Sequence, residues 1–211
     1  MIWNSNKVQQ SERPAALIVA AGRSSRMGCL KPLLQLNGQT LIRRIIDTFQ
    51  AASIQPIVVV TGNQAEQIER HIVPSGVICV RNYQFEDSQM FDSIKIGLPL
   101  LRGQCNRFFF TPADIPLFRV STVKHLMNVG MTVSIPSYNK RNGHPILISA
   151  QMIDQILHYD GTDGLRGFLR SVPDKEYISV DDPGILWDAD TPQDFQMLIS
   201  KVNSRQLRGE I

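Results

Sequence analysis

The chain has 211 residues, a net charge of +3 and 43% hydrophobic residues, enough for one α/β domain with a sizeable core. No apolar run is long enough to span a bilayer, and the small, dispersed basic excess argues against nucleic acid as a partner. Cys29, Cys79 and Cys105 form no C-x-x-C pair, and His71, His125, His144 and His158 lack metal-ligand spacing, so neither a disulfide framework nor a zinc site is implied.

Residues 1–13 are polar and contain no apolar h-region of a signal peptide; they read as the loose N-terminal lead of a cytoplasmic protein. A single domain is expected over 14–200, followed by a polar, frayed tail over 201–211. Ala15 to Ala21 has the length and composition of a buried strand. The chain then passes through Gly22, Arg23, Ser24, Ser25, Arg26, Met27 and Gly28 and reaches Lys31. Two glycines bracketing hydroxyls and guanidiniums, with an ammonium beyond, suit a polyphosphate: backbone N–H groups approach its oxygens and the cations neutralise its charge. The spacing is neither G-x-x-x-x-G-K-[ST] nor G-x-G-x-x-G. The competing reading is a solvated basic loop. Either way, a loop ammonium packs against little, so loss of Lys31 should barely affect folding.

Helix and strand patterns then alternate. Thr40 caps a helix carrying Leu41, Ile42, Ile45, Ile46 and Phe49 on one face. Pro56 precedes a strand at Ile57–Val60. Asn63 is positioned to cap a helix with Ile68 and Ile72, and Val77–Val80 is a third strand. This order predicts βαβ units around a mainly parallel sheet. Phe91, Ile94, Leu98 and Leu101 have helical spacing, and Ser93 among them is either a ligand contact or a helix cap. Arg107–Phe110 reads as a buried strand running into Asp114, which sits between Pro112 and Pro116. The prolines stiffen the backbone around this carboxylate, which is either a Mg²⁺ ligand at the carboxyl edge of a strand or an Asp turn or cap.

Ser121 is positioned to cap a helix with Val123 and Leu126. Thr132–Pro136 is a further strand, Tyr138–Gly143 a polar basic loop, and Gly143–Leu147 returns to strand. A lone histidine such as His144 is more often structural than catalytic. Asp160–Arg166 is a glycine-rich turn before a helix, readable as an anion site or an ordinary loop. Asp188 and Asp190 alternate on an extended stretch and share a face, and Thr191–Pro192 starts the last helix.

Val19-Ala20-Ala21-Gly22-Arg23-Ser24-Ser25-Arg26-Met27-Gly28, then Lys31, Leu33-Leu34, Leu36, Gly38 and Leu41 resemble the signature of the MobA-like NTP transferases, within the glycosyltransferase-A-like nucleotidyltransferases. Asn82, Met90, Ser93, Ile94, Gly97 and Leu98 fit a family segment that helps hold base and ribose; Ser88, Gln89, Phe91 and Asp92 depart from it. Asp114-Ile115-Pro116-Leu117 resembles the family's metal-binding aspartate motif. Gly143–Leu147 resembles its G-H-P-V-L segment, and Asp188–Asp194 its D-x-D-T-P-E-D segment.

The resemblance implies a three-layer α/β/α Rossmann-like fold and nucleotidyl transfer. It assigns the nucleotide to residues 20–28, Lys31, Asn82, Ser93 and Asp114. Lys31, Arg23 and Arg26 would stabilise phosphate charge, and Asp114 and Asp190 would hold Mg²⁺. His144 and Asp188 would face the acceptor, although the residues leave open which of Asp188 and Asp190 is the second ligand. The nearest resemblance is to molybdenum cofactor cytidylyltransferases, implying CTP, molybdopterin as acceptor and a molybdoenzyme or its chaperone as transfer partner. Ala21, where the guanylyl branch has a second glycine, favours CTP. A sugar phosphate or phosphoalcohol acceptor, and a non-catalytic nucleotide-binding partner, remain the alternatives.

Overall fold

The computed structural model describes residues 13–22 and 28–207. Most of the expected N-terminal lead, the 23–27 stretch with Arg23, Ser24, Ser25, Arg26 and Met27, and residues 208–211 lie outside the described residues. In chain order the elements are β1 (Pro14–Ala20), β2 (Gln35–Leu36), β3 (Gln39–Thr40), α1 (Leu41–Ala51), β4 (Ile57–Thr61), α2 (Ala65–Ile72), β5 (Ile78–Arg81) and α3 (Met90–Gly97). They continue as β6 (Arg107–Pro112), α4 (Val120–Met127), β7 (Val133–Tyr138), β8 (Arg141–Asn142), β9 (Ile146–Ser149), α5 (Ile153–His158), α6 (Gly164–Ser171), β10 (Lys175–Ser179) and α7 (Pro192–Leu207).

One sheet runs β10–β7–β9–β6–β1–β4–β5, with β8 attached to β7. β1 is parallel to both β4 and β6, β4 to β5, and β7 to β10. Only β8 and β9 run against this direction. Alternation along β1 divides the core into two. Ala15, Leu17 and Val19 join α3, α5 and α6 on one face, while Ala16, Ile18 and Ala20 join α1, α2 and α4 on the other. A strand buried on both faces reads as a continuous apolar run because each face needs its own hydrophobic set. The architecture is the expected three-layer α/β/α fold with a mainly parallel sheet.

Several local expectations change. Thr40 does cap α1, accepting from the Arg43 N–H at 3.3 Å. Asn63 does not cap α2: Gln64 stands at that position in a left-handed conformation with φ 49°. Ser121 lies inside the first turn of α4, whose leading N–H, on Arg119, donates to Asp182 Oδ2 at 2.7 Å. The basic loop after Tyr138 is a tight hairpin, with Asn139 and Lys140 at φ 48° and 64° joining β7 to β8, the left-handed pair that a two-residue turn requires.

The frayed tail is wrong over residues 201–207, which continue α7. Leu198, Val202 and Arg205 are buried. Their i, i+4, i+7 spacing forms one inward stripe in an otherwise polar sequence. Arg205 Nη1 donates to the Leu117 carbonyl at 2.9 Å, Nη2 pairs with Asp182 Oδ1 at 3.2 Å, and the guanidinium lies 4.8 Å from the centre of the Trp187 ring. Both partners of this ion pair are almost fully buried, so removing one strands the other's charge. Arg205→Leu should lower the unfolding free energy by about 3 kcal/mol, the scale for breaking a buried pair, in urea denaturation. An unchanged midpoint would mean that Asp182 is satisfied without Arg205.

Candidate active site

The loops after the central parallel strands meet at one sheet edge. Lys31 opens a single 3₁₀ turn, Lys31–Leu33, with buried Pro32 behind it. Its Nζ donates to Asp190 Oδ1 at 2.8 Å and lies 4.0 Å from Asp114 Oδ2. Asp114 follows β6, and α4 does not begin until Val120, so this carboxylate caps no helix. Its backbone carbonyl accepts from the Ala189 N–H at 3.0 Å, which docks the 187–190 strap beside it. Thr191 and Asp194 then close a reciprocal cap: Asp194 N–H donates to Thr191 Oγ1 at 3.1 Å, and Thr191 N–H to Asp194 Oδ2 at 2.9 Å. Asp190 is thus held between a docked backbone and a capped helix.

Lys31 is not the loose ammonium expected from sequence, since its side chain is only 14% exposed. Burial pushes the Asp114 carboxyl up to about 6; Lys31 pulls it back, and Asp190 and Asp188 raise it further. Asp188 is raised as well, by burial first and then by the charges of Asp190 and Asp194. Asp114, Asp188 and Asp190 thus gather around the Lys31 ammonium at the edge of the sheet. Among the described residues no group of three or more His, Cys, Asp or Glu is arranged to hold a metal by itself.

Beside this cluster lies a cleft of about 330 Å³. Ala20, Ala21, Gly22, Lys31, Ser93 and Asp114 line it, as do Phe85, Ser88, Gln89 and Met90. Asn82 does not line it. It is 2% exposed, its Nδ2 donates to Ser88 Oγ at 2.8 Å and Ser93 Oγ at 3.0 Å, and its Oδ1 accepts from the Gln84 N–H. Its hydrogen-bonding capacity is spent on bracing the cleft wall rather than facing it. Ser93 lies within α3 and is no cap; Gln89 stands at the N-cap, and Asp92 in the first turn accepts from the Gln89 N–H through Oδ2 at 2.8 Å. Ser88 and Gln89 line the cleft although they depart from the family segment that Asn82 and Ser93 fit, and Phe85 between them carries no motif signal. Gly62 was missed too. A Cβ there would lie 2.8 Å from both the Ala21 carbonyl oxygen and Phe85 Cβ, so glycine lets the two walls of the cleft approach.

A second cavity, of about 730 Å³, adjoins the first across Gln89 and Met90. His144, Asn142, Arg166, Lys175 and Tyr177 line it. The glycine-rich turn does start a helix here, but Asp163 stands at that helix start and pairs with Arg170 at 2.8 Å. Asp188 lies with the first cluster and lines neither cavity.

The model of the MobA-like NTP transferase domain matches residues 16–177. The bifunctional protein GlmU of Prochlorococcus marinus is 31% identical over 117 residues, covering 54% of this chain and 26% of that protein. The chain spans about a quarter to a third of the length of the curated relatives it matches. Among solved structures, Rv0371c from Mycobacterium tuberculosis has a TM-score of 0.77 at 20% identity, covering 90% of this chain and 98% of that one. CTP:phosphocholine cytidylyltransferase from Streptococcus pneumoniae has a TM-score of 0.69 at 18% identity, covering 90% and 99%. Among the described residues no helix is long and apolar enough to cross a membrane.

The raised Asp114 carboxyl has a consequence for stability. Its folded pKa, about 6, lies above the roughly 3.9 of an unfolded aspartate, so between these values the native state binds more protons. Unfolding free energy must then fall as pH rises from about 4 to about 6. In metal-free protein, Asp114→Asn should be more stable than wild type at pH 8, on the order of 2 kcal/mol, and the gap should close below pH 4. Paired thermal melts across this range test it; a variant weaker than wild type at pH 8 would mean that Lys31 outweighs burial.

Proposed function

The chain belongs to the MobA-like NTP transferase family, and from that premise we propose that it is a Mg²⁺-dependent nucleotidyltransferase moving CMP from CTP onto the phosphate of a small-molecule acceptor. An acceptor phosphate oxygen attacks the α-phosphorus in line, the α–β bridging bond breaks, and the electron pair leaves with pyrophosphate. The observation that carries this reading is the convergence of Lys31, Asp114 and Asp190 beside a cleft that opens into a second cavity.

The carboxylate excess fits a divalent cation. Asp114 is held up by burial and by its acidic neighbours, and Mg²⁺ takes one or two carboxylates, completing its six oxygens from phosphate and water. Asp114 and Asp190 would hold it, with Asp188 orienting the acceptor. The ion's chemistry is to neutralise charge on the α-phosphate and the attacking oxygen. Lys31 donates to phosphate oxygens as charge develops on them, with Arg23 and Arg26 from the adjoining stretch in the same role. Asn82 fixes Ser88 and Ser93 against the nucleotide. No covalent intermediate is needed, since positioning and electrostatics suffice.

CTP is favoured by Ala21, which lines the cleft where the guanylyl branch has a glycine. Molybdopterin is the first acceptor to test, with transfer onward to a molybdoenzyme or its chaperone. The likeness to CTP:phosphocholine cytidylyltransferase supports a phosphoalcohol as the second.

With Mg²⁺, CTP should raise the melting temperature more than GTP does; the reverse order would overturn the cytidylyl assignment. Lys31→Ala should lower turnover by about 10²-fold, the scale for one donor to developing charge, and near-normal turnover would remove Lys31 from the mechanism. Asp190→Asn should raise the Mg²⁺ concentration for half-maximal activity more than Asp188→Asn does. The opposite ranking would exchange their roles.

A further inference from the structure

The carboxylate cluster and the Lys31 ammonium differ in how far they can move. Asp190 is fixed from both sides. Before it, the Ala189 N–H donates to the Asp114 carbonyl at 3.0 Å; after it, Thr191 and Asp194 close their reciprocal cap. Asp114 shares the first of these anchors. The Lys31 backbone is pinned as well, since its carbonyl accepts from the Leu34 N–H at 3.0 Å and Pro32 beside it is buried. Its ammonium, by contrast, ends a flexible stem and carries donors that can be re-aimed. If anything in the cluster is to shift when a ligand arrives, it is this side chain.

Lys31 Nζ donates to Asp190 Oδ1 at 2.8 Å and lies 4.0 Å from Asp114 Oδ2. One ammonium therefore bears on both carboxylates proposed as cation ligands, and in charge it stands where that cation would act. It opposes any second cation at the same oxygens, and the repulsion is strong where water is largely excluded. Mg²⁺ also gives up its water reluctantly, which adds to the barrier. The cleft supplies the release. Lys31 and Gly22 line it together, so phosphate oxygens placed there offer the ammonium other acceptors. Its departure would uncover Asp190 Oδ1 and Asp114 Oδ2 while the two carboxylates keep their places.

We propose that Lys31 serves as the resident cation of the site before nucleotide arrives: it holds Asp114 and Asp190 until phosphate draws it away, so a divalent cation enters with the nucleotide and not ahead of it. The inference rests on the nucleotidyl-transfer reading and deepens it, giving Lys31 a role in uptake as well as in the reaction. Nucleotide and cation then bind cooperatively, each raising the other's affinity by the same factor. Part of that factor is direct contact between ion and phosphate. The part due to Lys31 is read from the cation without nucleotide.

The probe is Mn²⁺, which takes the same oxygen ligands as Mg²⁺. It is titrated into the full chain without nucleotide and followed by the paramagnetic resonance signal of the unbound ion. Lys31→Met should bind Mn²⁺ about tenfold tighter than wild type, within the roughly 5–150-fold range of coupling between sites. Lys31→Arg keeps the charge and should stay near wild type. Adding Asp190→Asn to Lys31→Met should remove the gain. Lys31→Gln, also uncharged, gives the same comparison if Lys31→Met does not fold. Equal Mn²⁺ affinity in wild type and the uncharged variants would overturn the proposal. So would an equal gain in Lys31→Arg, or a gain that survives Asp190→Asn and so places the ion elsewhere. Titration of CTP with Mg²⁺ into wild type is a separate control. Failure of CTP to bind would overturn the nucleotidyl-transfer reading, and the Mn²⁺ titrations would still decide whether Lys31 excludes the cation.

Discussion

A buried carboxylate that lines neither cavity, Asp182, holds the chemical edge of the sheet together. Asp182 is 1% exposed and accepts from four donors: the Arg119 N–H, Thr122 Oγ1, the Gly184 N–H and Arg205 Nη2. These come from the start of α4, from the strap after β10 and from α7. A buried charge is tolerated only when its lone pairs are filled by well-aligned donors, so the three segments cannot move independently. The strap leaves this hub at Pro183 and is pinned again where the Ala189 N–H meets the Asp114 carbonyl. Between the two anchors its direction is set, and Asp190 arrives against Lys31.

That rigidity supports an unfavourable charge arrangement. The charges of Asp190 and Asp188 raise the Asp114 carboxyl's affinity for protons, and that of Asp190 raises Asp188's, while Lys31 opposes both. Without fixed anchors the acidic strap would swing into water, where its repulsion is screened. A smaller apolar cluster apart from the two sheet faces, Leu36, Leu41, Leu117, Ala189, Leu198 and Val202, keeps it in place. Stored repulsion of this kind is relieved by a cation, which links the stability of the strap to the proposed chemistry.

The features legible in the sequence depend on one chain segment at a time. The β1 run, the apolar face of α1, the Thr191–Pro192 helix start and the acidic end of β6 all follow from local periodicity or from proline and capping chemistry. The features that were not legible depend on a partner distant in sequence. Asn82 matches a nucleotide motif, but its amide is consumed by Ser88 and Ser93 once α3 folds back. Lys31 looks like an exposed loop ammonium until Asp190, 159 residues away, closes over it. Arg205 looks like tail until Asp182 and Trp187 give it a pocket. Gly62 carries no signal, because what it avoids is the backbone of another loop.

Strand direction accounts for the second cavity. In a wholly parallel sheet, ligand-facing residues follow the carboxyl ends of strands, and Asp114 obeys this after β6. β9 lies between β6 and β7 but runs opposite to both, pairing Phe110 with Ile146 and Arg107 with Ser149. Its leading end therefore lies at the same edge as the trailing ends of its neighbours. His144 precedes β9, and the β7–β8 hairpin lies beside it. Periodicity shows that residues 146–149 form a strand but not which way it runs, so it does not put His144 at that edge; only the resemblance of Gly143–Leu147 to a family segment pointed there. The reversal also sets the second cavity beside the carboxylate cluster. The parallel half, β1 and β6, carries Lys31 and Asp114, while the inserted strands carry the second cavity. The two regions are nonetheless tied by one strap: the His144 N–H donates to the Ile185 carbonyl, and four residues on the Ala189 N–H donates to the Asp114 carbonyl, so the second cavity and the carboxylate cluster share a backbone anchor.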